Sequence, residues 1–399
     1  MKINVAVLFG GKSVEHEISV ISAIQALMQM DKEKYNLIPI YMSKQNRMYV
    51  GKEIGNIDAY KDVDSLIKKS SQVILTNING RTCIVDIPLT RRSERKSTPI
   101  DVVFPIVHGT NVEDGALQGF LKTLGVPFVG CDVLASAVGM DKHIMKLVFR
   151  DAGIPVLDCM CFLKTEFFDS EQTVIDFIES KYTYPVIVKP VNLGSSVGIS
   201  KANTRDELIE ALDLAFQFAP KVLIERAITA LREINCAVLG DIYEAEASEC
   251  EEPLNATDIL SYSDKYMGGS KSKGGSKGMA SLSRKIPADI PEDVRDRIRD
   301  LAVKAFQALG GNGVARIDFM IDTSDNSIYL NEINTIPGSL SFYLWEALGI
   351  PYQTLLDRMI QLALKREREE SDIVYSFDTN VLANCSFNGS KSSKRGKLG

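Results

Sequence analysis

Short apolar runs alternate with amphipathic stretches of helical period along most of the chain, and no other feature narrows the choice of folds as much. "INVAVLFGG" reads as a first strand, and "EISVISAIQALMQM" follows as a helix with Ile18, Ile21, Ile24 and Met28 on one side. "YNLIPIYMS", the helix-like "DAYKDVDSLIKKS" and the strand "IDVVFPIVHG" continue the series. Strand, helix, strand in this order predicts an α/β fold with a parallel sheet covered by helices. The polar region 45–100, with its charge run "RRSERK", reads as a hairpin and loop elaboration of this unit.

Two more units follow. One runs from 130 to 228 and includes the helix "DKHIMKLVFRDAG" and the strands "IPVLDCMCFL", "YPVIVKP" and "KVLIERAI". The other, 229–372, holds "EINCAVLG", a long polar loop, the helix "PEDVRDRIRDLAVKAFQALG", two paired strands and a last helix "YQTLLDRMIQLALKRERE". Residues 1–129 form the first unit, and the polar tail 373–399 is expected to be disordered. A chain of 399 residues accommodates such a division.

Composition excludes several function classes. The formal net charge of −6 argues against nucleic-acid binding, which needs clustered basic residues. No run approaches the roughly 20 apolar residues of a membrane helix. The first apolar run is too short for a secretory leader and breaks at two glycines. The seven Cys lack metal-ligand spacing; Cys159 and Cys161 fall in a run that reads as buried strand. The expectation is a cytoplasmic protein with reduced thiols.

Chemistry concentrates in two stretches. In "YPVIVKPVNLGSSVGISK", Lys189 ends a strand and a Gly/Ser loop follows, suited to an anion. This is not the P-loop order, in which the lysine follows the glycines. In "GVARIDFMIDTSDNSIYLNEINTIPG", alternation puts Arg316 and Asp318 on one face of a strand, and Glu332 and Asn334 on one face of its hairpin partner. Such a face is either solvated or a seat for magnesium, which takes a few carboxylates together with phosphate oxygens. Lys142, opening a helix, is either a surface lysine or the partner of Lys189 in clamping phosphates. Glu225 ends a strand, exposed or accepting from an adenine amine. Glu15 stands in a first helical turn beside the strand–glycine–helix junction "FGGKSVEHEISV", and His108 ends another strand at the same sheet edge. The Gly/Ser/Lys loop 260–281 reads as a lid or as a disordered insertion.

Along residues 1–370 the segments "GGKSVEHEIS", "HGTNVEDGALQGFL", "GVPFVG", "MDK", "VKPVNLGSSVG", "DKY", "ARIDFM" and "NEINTIPG" occur in the order found in the D-alanine–D-alanine ligase family, which they resemble. The resemblance implies an ATP-grasp fold with an N-terminal parallel-sheet domain. It also implies an ATP-dependent ligase that forms a dipeptide for peptidoglycan synthesis through an acyl phosphate. By the same resemblance, Lys142 and Lys189 hold ATP phosphates, covered by the loop Gly194 to Ser196, and Lys265 comes in to the ATP on the lid. Glu225 and Ile228 meet adenine, and Glu233 the ribose. Asp318, Glu332 and Asn334 bind two magnesium or manganese ions. Glu15 fixes the ammonium of the first D-alanine and joins Ser195 and Tyr266 in closing the lid. His108 sits near that substrate, and Arg316 with the Gly338 amide forms the oxyanion hole. The family suggests a homodimer.

The chain departs from the family in having Tyr343–Leu344 where Ser–Leu usually lines the second-substrate pocket, and in a longer, glycine-rich lid. The second substrate is therefore left open between D-alanine, D-serine and another amino acid. A non-catalytic nucleotide-binding module is the alternative of a different class.

Overall fold

The computed structural model describes residues 2–194, 197–254, 284–376 and 379–380. Seven strands build the first sheet: β1 (Ile3–Gly10), β2 (Tyr35–Met42), β3 (Met48–Val50), β4 (Ser71–Ile78), β5 (Arg81–Asp86), β6 (Thr98–Pro99) and β7 (Val102–Ile106). Their order is β6-β5-β4-β3-β2-β1-β7. β1 runs parallel to β2 and β7, as the strand–helix–strand order requires, and is fully buried from Val5 to Phe9 because both its faces are covered. The region 45–100 extends this sheet with antiparallel strands. Its charge run is a short helix, Arg91–Arg95, rather than loop, because the Thr90 hydroxyl accepts from the Ser93 N–H and caps it. In the helix His16–Gln29, Ile18 and Ile24 are buried as expected, but Met28 is exposed and Leu27 takes its place in the core.

The second sheet, β10-β9-β11-β8, is antiparallel throughout: β8 (Cys159–Leu163), β9 (Val186–Pro190), β10 (Ser200–Ala202) and β11 (Lys221–Arg226). Cys159 and Cys161 lie on its edge strand and are half-buried; Met160 between them faces the core. The third sheet is also antiparallel, in the order β14-β13-β12-β15-β16: β12 (Leu231–Gly240), β13 (Ala245–Pro253), β14 (Arg284–Lys285), β15 (Gly313–Asp322) and β16 (Ser327–Asn334). β13 replaces part of the expected polar loop. Its sequence "AEASECEEP" is acidic, and a register shift opposite Cys236 and Val238 breaks the period that would have marked a strand.

The hydrophobic cores do not follow the chain division drawn from sequence. The helices Val133–Met140 and Lys142–Asp151 bury Ala135, Met145 and Phe149 against Ile317 and Phe319 of the third sheet, although the boundary at 130 assigns them to the central unit. The helix Tyr352–Glu370 buries Leu355, Leu356 and Ile360 in the core of the first sheet. An apolar stripe packs on whichever apolar face the turns bring near, and sequence distance has no part in that choice. The second sheet keeps a core of its own, from Met160 to Ile224. Among the described residues no helix is long and apolar enough to cross a membrane.

Candidate active site

A cavity of about 630 Å³ is lined by residues of the second and third sheets and of the loops at the carboxyl ends of β1 and β7. Its floor is a row of cross-strand partners on the third sheet. Glu251 on β13 faces Asn235 on β12, Asn235 faces Asp318 on β15, and Asp318 faces Glu332 on β16. In the next row Arg316 faces Asn334. Cross-strand partners share a face, so the hairpin reading holds: its polar side lines the cavity, while Ile317 and Phe319 enter the core. Arg316 grips Asp318 bidentately, Nε to Oδ1 and Nη2 to Oδ2, both at 2.7 Å. Burial works against the Arg316 charge, but Asp318 outweighs it and holds the guanidinium protonated.

The second sheet and the helix Lys142–Asp151 supply the cations. Asp141 caps that helix, accepting from His143 and Ile144. Lys142 is buried, not a surface lysine: its Nζ donates to Leu193 O at 2.8 Å and pairs with Glu332 at 3.0 Å. Lys189 donates to Asn331 Oδ1 at 3.0 Å and pairs with Glu225. Glu225 is 1% exposed, which excludes an open strand end. One turn beyond Lys142, the fully buried Lys146 holds the other Glu225 oxygen at 2.6 Å. Burial alone would raise the Glu225 carboxyl; Lys189 and Lys146 outweigh it and hold it down at about 2. Ile228 and Glu233 also line the cavity.

Loops of the first sheet supply the third wall. Gly10 and Gly11 turn the chain out of β1 with φ of +92°, and a Cβ on Gly10 would meet Met42 O at 2.2 Å. Glu15 follows at the N-cap of the helix His16–Gln29. Its carboxylate lies so close to Gly109 and Gly194 that a Cβ on either would stand 2.8 and 3.0 Å from Oε2. His108 lines the cavity, but both ring nitrogens are engaged: Nδ1 with Ile336 O at 2.8 Å and Nε2 with Ser22 Oγ at 3.0 Å. Burial lowers its pKa to about 4, with Arg316 adding to the fall against the Ile336 bond, so the ring is neutral. It acts here as a tie between the first sheet and the "NTIPG" turn that carries Gly338.

Glu113, inside the quoted "NVEDG", makes the same connection. It accepts from Gly109 N at 2.9 Å and Ile336 N at 2.8 Å. Burial raises its carboxyl to about 7 against those bonds, and Glu15 adds to the rise.

The second-substrate wall differs from expectation. Leu344 is fully buried in the core of the first sheet, and neither it nor Tyr343 is among the residues lining the cavity. A 3₁₀ turn, Gly338–Ser341, with Ser339, Leu340 and Ser341 all at φ near +50°, swings the chain inward before the helix Phe342–Glu346. The cavity wall there is Arg284 and Glu251. Arg284 Nη1 donates to Glu251 Oε2 at 2.7 Å, and its guanidinium lies 3.9 Å from the centre of the Tyr343 ring. Tyr343 donates to Glu251 Oε1 at 3.3 Å.

Glu15, His108, Lys142, Lys189, Gly194, Glu225, Ile228, Glu233, Arg316, Asp318, Glu332, Asn334 and Gly338 therefore meet at one cavity. Ser195, Ser196, Lys265 and Tyr266, with the lid 260–281 and most of the tail, lie outside the described residues. Sequence reasoning missed Glu113, Lys146, Glu251 and Arg284. Lys146 had a signal, since residues at i and i+4 share a helix face with Lys142. Glu251 and Arg284 had none, because both fall in the stretch read as loop.

The donor set at Asp318, Glu332 and Asn334 is two carboxylates and a carboxamide. Among the described residues no group of three or more His, Cys, Asp and Glu is arranged to hold a metal. A set of so few hard oxygens does not enclose an ion by itself. It fits magnesium, which keeps waters and takes phosphate oxygens alongside one or two carboxylates.

A family model described as "D-ala D-ala ligase N-terminus" matches residues 4–131, and one described as "D-ala D-ala ligase C-terminus" matches residues 148–361. A D-alanine–D-alanine ligase of Caldicellulosiruptor bescii is 42% identical over 94% of this chain and 99% of its own length. The structure of the D-alanine–D-alanine ligase from Coxiella burnetii superposes with a TM-score of 0.78 at 31% identity, over 93% of this chain and 96% of that one. A D-Ala:D-Ser ligase from Enterococcus faecalis gives a TM-score of 0.75 at 31% identity, over 91% of this chain and all of its own.

Proposed function

The chain belongs to the D-alanine–D-alanine ligase family, and from that premise we propose that this cavity joins two D-alanine molecules at the expense of ATP. The observation that carries the residue assignments is the meeting of Lys142 and Lys189 with Asp318, Glu332 and Asn334 in one cavity that Glu15 also lines. Cations for phosphate, oxygens for magnesium and a carboxylate for an ammonium lie within one space.

Lys142 and Lys189 take the phosphates of ATP, exchanging their bonds to Glu332 and Glu225 for phosphate oxygens. Ile228 packs on the adenine, Glu225 faces its amino group and Glu233 the ribose. Asp318, Glu332 and Asn334 hold magnesium, which when bound neutralises charge on the transferring phosphate. Glu15, at the N-cap of its helix, holds the ammonium of the first D-alanine with its carboxylate directed at the γ-phosphate. Transfer gives ADP and an acyl phosphate, and the uncharged amine of the second D-alanine then attacks the carbonyl. Arg316 and the Gly338 amide receive the oxyanion of the tetrahedral intermediate, which collapses to the amide with loss of phosphate and of the amine proton. His108 and Glu113 keep the Gly338 turn against the first sheet, so the two halves of the site stay in register. Both substrates are D-amino acids, and the dipeptide serves peptidoglycan synthesis. We place the enzyme in the cytoplasm, as a homodimer, with neither nucleic acid nor membrane as partner.

The test is phosphate release from MgATP with D-alanine, with the dipeptide identified by mass spectrometry and D-serine, D-lactate and L-alanine as competing acceptors. D-alanine-dependent release with D-alanyl-D-alanine as the main product is expected. Asp318→Asn should raise the magnesium needed for half-maximal rate at least ~10-fold. ATP turnover that needs another amino acid in place of D-alanine would overturn the substrate assignment.

A further inference from the structure

The second substrate brings a carboxylate into the cavity, and burying that charge needs a cation placed to receive it. The residues expected there from the chain's order, Tyr343 and Leu344, do not line the cavity. We propose, resting on the ligase reading above, that Arg284 receives the carboxylate of the second D-amino acid, and that Tyr343 and Glu251 are its positioning residues.

Three observations carry this. The first is the commitment of the cavity's other paired cations among the described residues: Lys142 lies on Glu332, Lys189 on Glu225, Arg226 on Asp322, and Arg316 bidentately on Asp318, while the lining Lys201 is exposed on β10. All of these partners but Asp322 belong to the phosphate, nucleotide or metal end of the site. Among the described residues, Arg284 alone of the cavity's paired cations is held at the opposite end of the floor row, by Glu251.

Distance is the second observation. Glu251 and Asp318 are two strands apart in the cross-strand register. Two strand spacings make about 10 Å, which leaves room between the metal end and Arg284 for a molecule the size of alanine. An acceptor lying along the row would thus point its amine toward Arg316 and Asp318, where the reacting carbonyl sits, and its carboxylate toward Arg284.

The third is rigidity. Arg284 is held on the short strand β14, paired with Pro253 of β13. Its guanidinium plane is held against the Tyr343 ring at 3.9 Å, and one edge is tied to Glu251 Oε2. Glu251 is fixed in turn by Asn235 at 3.0 Å and Tyr343 at 3.3 Å. A planar guanidinium held in this way meets a carboxylate with defined orientation, which a lysine in its place would not reproduce. The large aromatic residue at 343 is then accounted for: it is the platform under the arginine, and the pocket itself is formed by the arginine above it.

The experiment measures the two D-alanine sites separately and uses D-alaninamide as an acceptor lacking the carboxylate. Arg284→Met should raise KM for the second D-alanine about 10- to 100-fold, worth about 1.4–2.8 kcal/mol, with KM for ATP and for the first D-alanine within twofold. The preference of the wild type for D-alanine over D-alaninamide should fall by the same factor. Arg284→Lys should recover part of both effects, and Tyr343→Phe, which keeps the ring and drops the bond to Glu251, should show a smaller rise at the second site alone. Arg284→Met that melts with the wild type, keeps its second-site KM and still rejects the amide would overturn the proposal. If that variant does not fold, unchanged acceptor preference in Arg284→Lys and Tyr343→Phe overturns it equally. Failure of the ligase reading shows differently, as a wild type that makes no dipeptide.

Discussion

Lys146 is the most exacting test of how the nucleotide end is built. Its ammonium and the Glu225 carboxylate are each 1% exposed and 2.6 Å apart, with Lys189 on the other Glu225 oxygen. A carboxyl held at about 2 in place of its ordinary 4.5 stabilises the folded state by about 3 kcal/mol at neutral pH. The depressed value fixes the sign: this stabilisation is complete above pH 4.5 and is lost as pH falls towards 2. Lys146→Met removes one of two partners, so about half of it, 1–2 kcal/mol, should go, and acid unfolding should begin at higher pH. The larger effect concerns ATP. If Lys189 turns from Glu225 to a phosphate, Lys146 is what keeps the buried carboxylate paired. Without it, each ATP bound leaves a buried charge exposed to the full cost of desolvation, several kcal/mol before relaxation. We expect KM for ATP to rise about 10- to 100-fold while KM for both D-alanines stays near the wild-type value. Urea and acid titrations followed by fluorescence, with initial rates across ATP concentration, give both numbers. A variant with wild-type acid midpoint and an ATP KM within twofold would refute the switch of Lys189 between Glu225 and phosphate.

Two further outcomes follow from the same site. A methyl at Gly194 would stand 3.0 Å from Glu15 Oε2 and 3.5 Å from Oε1, so Gly194→Ala must push the carboxylate aside; KM for the first D-alanine should rise about tenfold, more than KM for ATP. Glu113 and His108 titrate in opposition: the raised carboxyl, near 7, costs stability as pH climbs from 4.5, while the lowered imidazole, near 4, costs stability as pH falls from 6.5. The wild type should therefore be nearly flat between those pH values, and Glu113→Gln should gain about 3 kcal/mol more than the wild type over that interval, read from urea midpoints; parallel curves would contradict the assignment.

Much of the fold was legible because alternation and glycine breaks are local. β1, β2 and β7 with their parallel pairing, the hairpin of β15 and β16, and the helices Glu292–Ala308 and Tyr352–Glu370 all lie where period and turn residues put them. Asp318, Glu332, Arg316 and Asn334 were legible for the same reason, since strand alternation alone puts them on one face. What failed was anything decided by tertiary contact. β13 is an acidic strand because Asn235, Arg284 and Arg232 pair its glutamates, and none of these is adjacent to it in sequence. Tyr343 and Leu344 turn inward because three consecutive residues adopt positive φ after Gly338, a conformation that non-glycine residues seldom disclose by type.

The same division explains how the site is held together. The second sheet has its own hydrophobic core, and its recorded bonds to the rest near the cavity are polar: Lys189 to Asn331, Glu225 to Lys146, Arg226 to Asp322, and Lys142 to Leu193 O. A hydrophobic contact cannot be exchanged for a phosphate, whereas an ion pair can. The carboxylates and the amide that hold Lys142 and Lys189 occupy the place that ATP phosphates take, and so keep buried ammonium groups satisfied before the nucleotide arrives. Binding then replaces internal pairs with external ones at little net desolvation, provided each abandoned carboxylate retains a second partner. Glu225 has Lys146, and Glu332 would have magnesium. On this argument the missed lysine and the predicted metal do the same job for carboxylates on opposite sheets, and removing either should weaken nucleotide binding while leaving all three hydrophobic cores intact.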